Sequence, residues 1–168
     1  MRFFFLILIA SLSLLAESAS GVKWKPAAAW KTSPARPMRA ATYAAPAAAG
    51  DKEAGEVAVF YFGPGQGGGV QANIDRWIGQ FTTKTGAPKT SKSTVAGMAV
   101  TSIDVSGTYG AAAGPMSPEK IDKPGFRMLG AIVEAPQGAV FFKFTGPAKT
   151  VSAHEAAFQA MIKAITKE

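Results

Sequence analysis

Glu56-Val57-Ala58-Val59-Phe60-Tyr61-Phe62 runs into Gly63-Pro64-Gly65-Gln66-Gly67-Gly68-Gly69, and that turn opens a segment of helical period from Val70 to Phe81. β-Branched and aromatic residues make the first run a strand. In the last, Val70, Ile74, Trp77, Ile78 and Phe81 share one face, while Gln71, Asn73, Asp75 and Arg76 lie largely elsewhere. The chain beyond this strand, turn and helix decides between two folds. The glycines satisfy G-x-G-x-x-G, whose dinucleotide-binding form also needs a repeated strand-helix-strand unit and an acidic residue about 20 residues on. Here a polar stretch, Thr82 to Thr94, reads as a loop, and no acid occupies that place. No Lys-Ser/Thr pair comes after the glycines, which excludes a P-loop.

Further along, Met98 to Tyr109 alternates. Ala99, Thr101, Ile103, Val105 and Tyr109 fall on one side, and Val100, Ser102, Asp104, Ser106 and Thr108 on the other. Arg127–Glu134 and Ala139–Thr145 form a hairpin around Pro136-Gln137-Gly138. Met38–Tyr43 is a further strand upstream. Gly110–Gly125, with three prolines, reads as a long mobile loop of the kind that is often functional. A last helix begins at Ser152-Ala153-His154-Glu155, which has the capping-box pattern, and turns Phe158, Met161, Ile162 and Ile165 to one side. Strands joined by short turns favour antiparallel pairing. The expected class is α+β, with an antiparallel sheet of about five to six strands and two amphipathic helices.

The N-terminus carries Arg2, an apolar run from Phe3 to Leu15 and then small residues, the three parts of a secretory signal. The run is shorter than the roughly 20 residues needed to span a bilayer. We expect residues 1–20 to be a signal peptide, cleaved between Ser18 and Gly21, and 21–168 to be a single α+β domain in the periplasm or outside the cell. With no cysteine, the exported domain relies on burial rather than disulfides, and has no lipid-modified N-terminal cysteine. The formal charge is +7, but the lysines are scattered and not interleaved with stacking aromatics, so a nucleic-acid partner is not expected.

Candidate chemistry is sparse. Gly65, Gln66, Gly67 and Gly68 form either a tight structural turn or a set of free amides that captures an anion beside Asn73 and Arg76. Asp104 and Lys143 are placed to meet across the sheet with Ser102, Ser106 and Thr145, as a polar ligand patch or as the wet face of a one-sided sheet. His154, the only histidine, reads as a boundary residue packed on the sheet. One histidine and no cysteine leave most zinc, copper and thiol chemistry without ligands, and no cofactor or metal is expected. Trp77 belongs to the core, and Trp24 and Trp30 either cap the sheet or anchor a partner.

The block Phe60-Tyr61-Phe62-Gly63-x-Gly65-Gln66-Gly67-Gly68-Gly69, continued by Ala72-Asn73-Ile74-x-Arg76-Trp77-x-x-Gln80-Phe81, resembles a family of uncharacterised exported bacterial proteins. Trp30 ahead of Met38-Arg39, Asp104 to Tyr109, Met128 to Glu134 and Phe141 to Pro147 extend the resemblance over nearly all of the chain after the signal. The tryptophan-containing N-terminal segment and the closing helix also resemble the PsbP-like fold of photosystem accessory subunits. That resemblance implies an antiparallel sheet flanked by helices and a binding or accessory role; it supplies no catalytic residue. Three readings stand. The preferred one is an exported non-catalytic binding or accessory module, whose partner is an envelope protein or an anionic ligand. The others are an enzyme using Gly63–Gly69 as an anion or oxyanion site with Asp104 or His154 as base, and a protein held at the membrane surface by Lys23 to Arg39.

Overall fold

The computed structural model describes residues 17–114 and 117–168. The expected signal segment up to residue 16 lies outside them. In chain order the elements are β1 (Glu17–Ala19), β2 (Val22–Trp24), β3 (Lys31–Thr32), β4 (Ala41–Ala45), β5 (Gly55–Tyr61) and α1 (Val70–Ile78). Then come β6 (Phe81–Lys84), β7 (Lys89–Val95), β8 (Met98–Ala112), β9 (Lys120–Ala135), β10 (Gly138–Pro147), α2 (Ala148–Lys163) and β11 (Thr166–Lys167).

The α+β class holds, but the sheet is larger than expected: eight strands in the order β3-β4-β5-β10-β9-β8-β6, with β7 also paired to β8. A second sheet joins β1, β2 and β11. All these pairs are antiparallel. Two additions explain the difference. The polar stretch expected as a loop, Thr82–Thr94, contributes β6 and β7, which line the two ends of β8. Nearly every residue of β7 is exposed, so it lacks the apolar alternation by which a strand is recognised; backbone pairing to β8 holds it instead. The expected Gly110–Gly125 loop is mostly strand too. β8 and β9 stay paired out to Ala112 and Lys120, leaving only a short connection between them.

Helices cover both faces. Leu129, Ala131, Val133, Phe142 and Phe144 face Val151, Phe158, Met161 and Ile162 of α2, with Trp24 and Trp30 completing that core. On the other face Ile103, Met128, Ile132 and Phe141 meet Ile74 and Trp77 of α1. Gly130 lets the indole lie on the sheet, since a Cβ there would come within 2.5 Å of Trp77 and 2.7 Å of Ile103. Both N-terminal tryptophans are core. Trp24 donates its Nε1–H to the Tyr43 hydroxyl at 2.8 Å, and Trp30 packs on Phe144.

The capping box at Ser152 does not form, because α2 starts earlier, at Ala148. Asp51 supplies the cap from a distant loop. Its Oδ2 accepts the Thr150 backbone N–H at 2.9 Å and the Thr150 hydroxyl at 2.6 Å. Thr150 Oγ1 in turn accepts the Ala48 N–H at 3.0 Å.

Candidate cation-lined cavity beneath the first helix

α1 packs on the sheet through Ile74 and Trp77, and a cavity of about 170 Å³ lies beside it over β5 and β10. Phe60 and Phe62 of the β5 end, Trp77 and Phe141 form its apolar walls. Asn73, Arg76, Gln80 and Lys143 supply its polar groups. Phe60, Phe141 and Lys143 come together because β5 and β10 pair in register, Phe141 opposite Phe60 and Lys143 opposite Ala58. The helical period places Asn73, Arg76 and Trp77 above them.

Electrostatics single this cavity out. Lys143 Nζ donates to Gln80 Oε1 at 2.5 Å and to the Tyr109 hydroxyl at 3.1 Å, and lies 5.2 Å from the Tyr109 ring centroid. These partners are neutral. Among the described residues no carboxylate lies within 4 Å of either Lys143 or Arg76. Glu56, across the β5–β10 pair, is already engaged by Arg36 at 3.1 Å and Arg39 at 2.9 Å. Burial pulls the Lys143 ammonium from 10.5 down to about 8; Glu56 opposes that shift, while Arg39 and Arg76 add to it. Tyr109 is pushed up, chiefly by burial.

Asn73 is buried, where the helical pattern placed it off the apolar face. Its Nδ2 donates to the carbonyls of Gly67 at 2.8 Å and Gly69 at 2.9 Å, and its Oδ1 accepts from Arg76. One side chain thus ties the glycine turn to the arginine. Gly67, at φ +90°, has no room for a Cβ, which would sit 2.9 Å from both Phe62 and Phe141.

Three of the sequence candidates, Asn73, Arg76 and Lys143, therefore share one cavity. Gly65, Gln66, Gly67 and Gly68 lie in the turn before α1 and do not line it. Asp104 does not meet Lys143. Successive side chains of a strand alternate between faces, and Asp104 projects to the α2 side while Lys143 projects to the α1 side. There Asp104 forms a bidentate pair with Arg127 at 2.9 and 2.8 Å. Arg127 also bonds Glu155 at 2.8 Å and Ser152 at 2.9 Å, so the residues expected to cap α2 turn to an arginine instead. These acids hold the Arg127 guanidinium pKa well up. His154 is likewise on the α2 side, accepting the Trp30 N–H at 3.3 Å and contacting the Pro46 carbonyl at 3.0 Å. Neither base expected for an enzyme built on the glycine turn is on the α1 side.

Gln80, Phe60, Phe62 and Tyr109 were not expected at the site. Their convergence comes from sheet order, which local periodicity does not encode. A larger groove of about 360 Å³ lies on the α2 side, lined by β7, Asp104, Leu129, Phe158 and Ile162. Its acids Asp104 and Glu155 already have Arg127, and its lysines Lys89 and Lys163 are exposed to water.

Fold and cavity define an α+β domain with a small cationic, aromatic-walled site. No family model matches the chain, and no curated protein matches it. Among solved structures it is similar to a protein of unknown function from Pseudomonas aeruginosa, at 12% identity and TM-score 0.48 over 92% of this chain and 96% of that chain.

Proposed function

We propose that the protein is an exported, non-catalytic binding module that captures a small anionic ligand in the cavity beneath α1. One observation carries this reading: Lys143 and Arg76 line an apolar-walled cavity with only neutral partners among the described residues. Arg76 is exposed and Lys143 half-buried; the partly desolvated Lys143 ammonium has no counter-charge of its own, and an incoming carboxylate or phosphate offsets that cost. Four aromatic walls favour a flat apolar body behind the anionic group. The signal-like segment over residues 1–20 supports export, and the helix-flanked antiparallel sheet is compatible with the PsbP-like resemblance and its accessory roles.

Thermal unfolding of the folded domain with benzoate or inorganic phosphate tests the reading. A bound anion at a hundred times its dissociation constant adds about 2.7 kcal/mol. The ligand-induced increment should disappear in Arg76→Gln and Lys143→Met. No increment with any small anion in the wild-type protein would refute the site. Cell fractionation tests export, which fails if the chain stays cytoplasmic with residues 1–20 intact.

A further inference from the structure

We propose that Lys143 captures its ligand covalently, its Nζ condensing with an aldehyde that carries an anionic group on a flat apolar body. The choice of ligand rests on the anion-binding reading above. The half-buried amine lines the cavity beside aromatic walls and has no carboxylate within 4 Å among the described residues. A lysine in such a setting is a candidate nucleophile toward carbonyl carbon.

The step balances without an oxidant or reductant. Neutral Nζ attacks the aldehyde carbon and forms a C–N bond. The amine proton moves to the former carbonyl oxygen, with the Tyr109 hydroxyl, 3.1 Å from Nζ, placed to relay it. That oxygen then leaves as water, taking the second amine proton, and a C=N bond remains. Arg76, exposed at the cavity rim, is the group available to hold the anionic end, and Phe60, Phe62 and Trp77 supply apolar walls for the body of the ligand. The lowered Lys143 value of about 8 supports the geometry. At neutral pH the free-amine fraction exceeds that of a surface lysine by on the order of a hundredfold. The charged groups acting on it are Glu56, Arg39 and Arg76.

The experiment treats the folded protein with 4-formylbenzoate at pH 8, reduces with borohydride and maps the adducts by peptide mass spectrometry. Lys143 should be labelled on the order of tenfold faster than any exposed lysine. Benzoate should compete, benzaldehyde without the carboxylate should label more slowly, and Lys143→Arg should lose the fast adduct while keeping a cation. Labelling spread over surface lysines, with benzoate still raising the unfolding temperature, overturns the covalent step and leaves the anion site standing. Spread labelling with no benzoate effect overturns both. A fast Lys143 adduct with no benzoate effect supports the amine and removes the anion reading.

Discussion

Replacing Lys143 by methionine should stabilise the ligand-free protein at pH 7, although it deletes two hydrogen bonds. A drop from 10.5 to about 8 means that the folded environment disfavours the ammonium by about 3 kcal/mol. Methionine fills similar space without that cost. Against this, Gln80 and Tyr109 each lose a partner, at about 1 kcal/mol apiece where water still reaches them. The net expectation is about 1 kcal/mol of stabilisation. The pH dependence is the sharper readout. Below pH 8 both folded and unfolded chains carry the proton, so there is no slope. Between 8 and 10.5 the unfolded chain binds more protons than the folded one, and stability rises with pH at up to about 1.4 kcal/mol per unit. From pH 7 to 9.5 the wild-type protein should gain about 2 kcal/mol relative to Lys143→Met. Urea unfolding of both proteins across that range isolates the residue, because every other group is common to the pair. The range stops there because raised Tyr43 and Tyr109 work in the opposite sense once unfolded phenols ionise. Parallel curves, with the variant less stable throughout, would show that Lys143 is satisfied without a ligand and refute the argument for an anion site.

Other expectations come from the supporting structure. Asp51→Ala removes the cap on Thr150 and should cost about 1–2 kcal/mol; an unchanged melting temperature would mean that α2 does not need it. Gly130→Ala drives a methyl into Trp77 and Ile103 and should cost about 1–3 kcal/mol in denaturant unfolding, with the cavity's anion response falling as α1 is displaced. Thr145 Oγ1 is buried with no hydrogen-bond partner among the described residues, so Thr145→Val should be neutral or stabilising by chemical denaturation; a large loss would reveal a partner for the hydroxyl. A chain beginning at Gly21 lacks β1 and the Ser20 hydroxyl bond to the Gly138 carbonyl, and should melt below one beginning at Glu17. Equal melting would leave the expected Ser18–Gly21 cleavage free of structural cost.

Much of the architecture was legible because burial writes a period into the chain. Ile74 and Trp77 fall on the core face of α1, and Phe158, Met161 and Ile162 on that of α2, as their spacing predicts. The alternating run from Met98 and the hairpin at Pro136–Gly138 likewise appear as strands. β6 and β7 were hidden because backbone pairing at an exposed sheet edge requires no apolar pattern. Asp51 capping Thr150 was hidden because the helix is capped from a loop remote in sequence. The site divides in the same way. Local pattern placed the glycine turn beside Asn73 and Arg76, and identified Lys143 as a charge set between phenylalanines. Only tertiary structure decided that Lys143 faces α1 and Asp104 faces Arg127, because face depends on strand register, and neighbours on strand order. That no carboxylate of the described residues sits beside Lys143 is likewise a property of the assembled sheet, since the acids that local sequence offers are distributed between its two faces by that register.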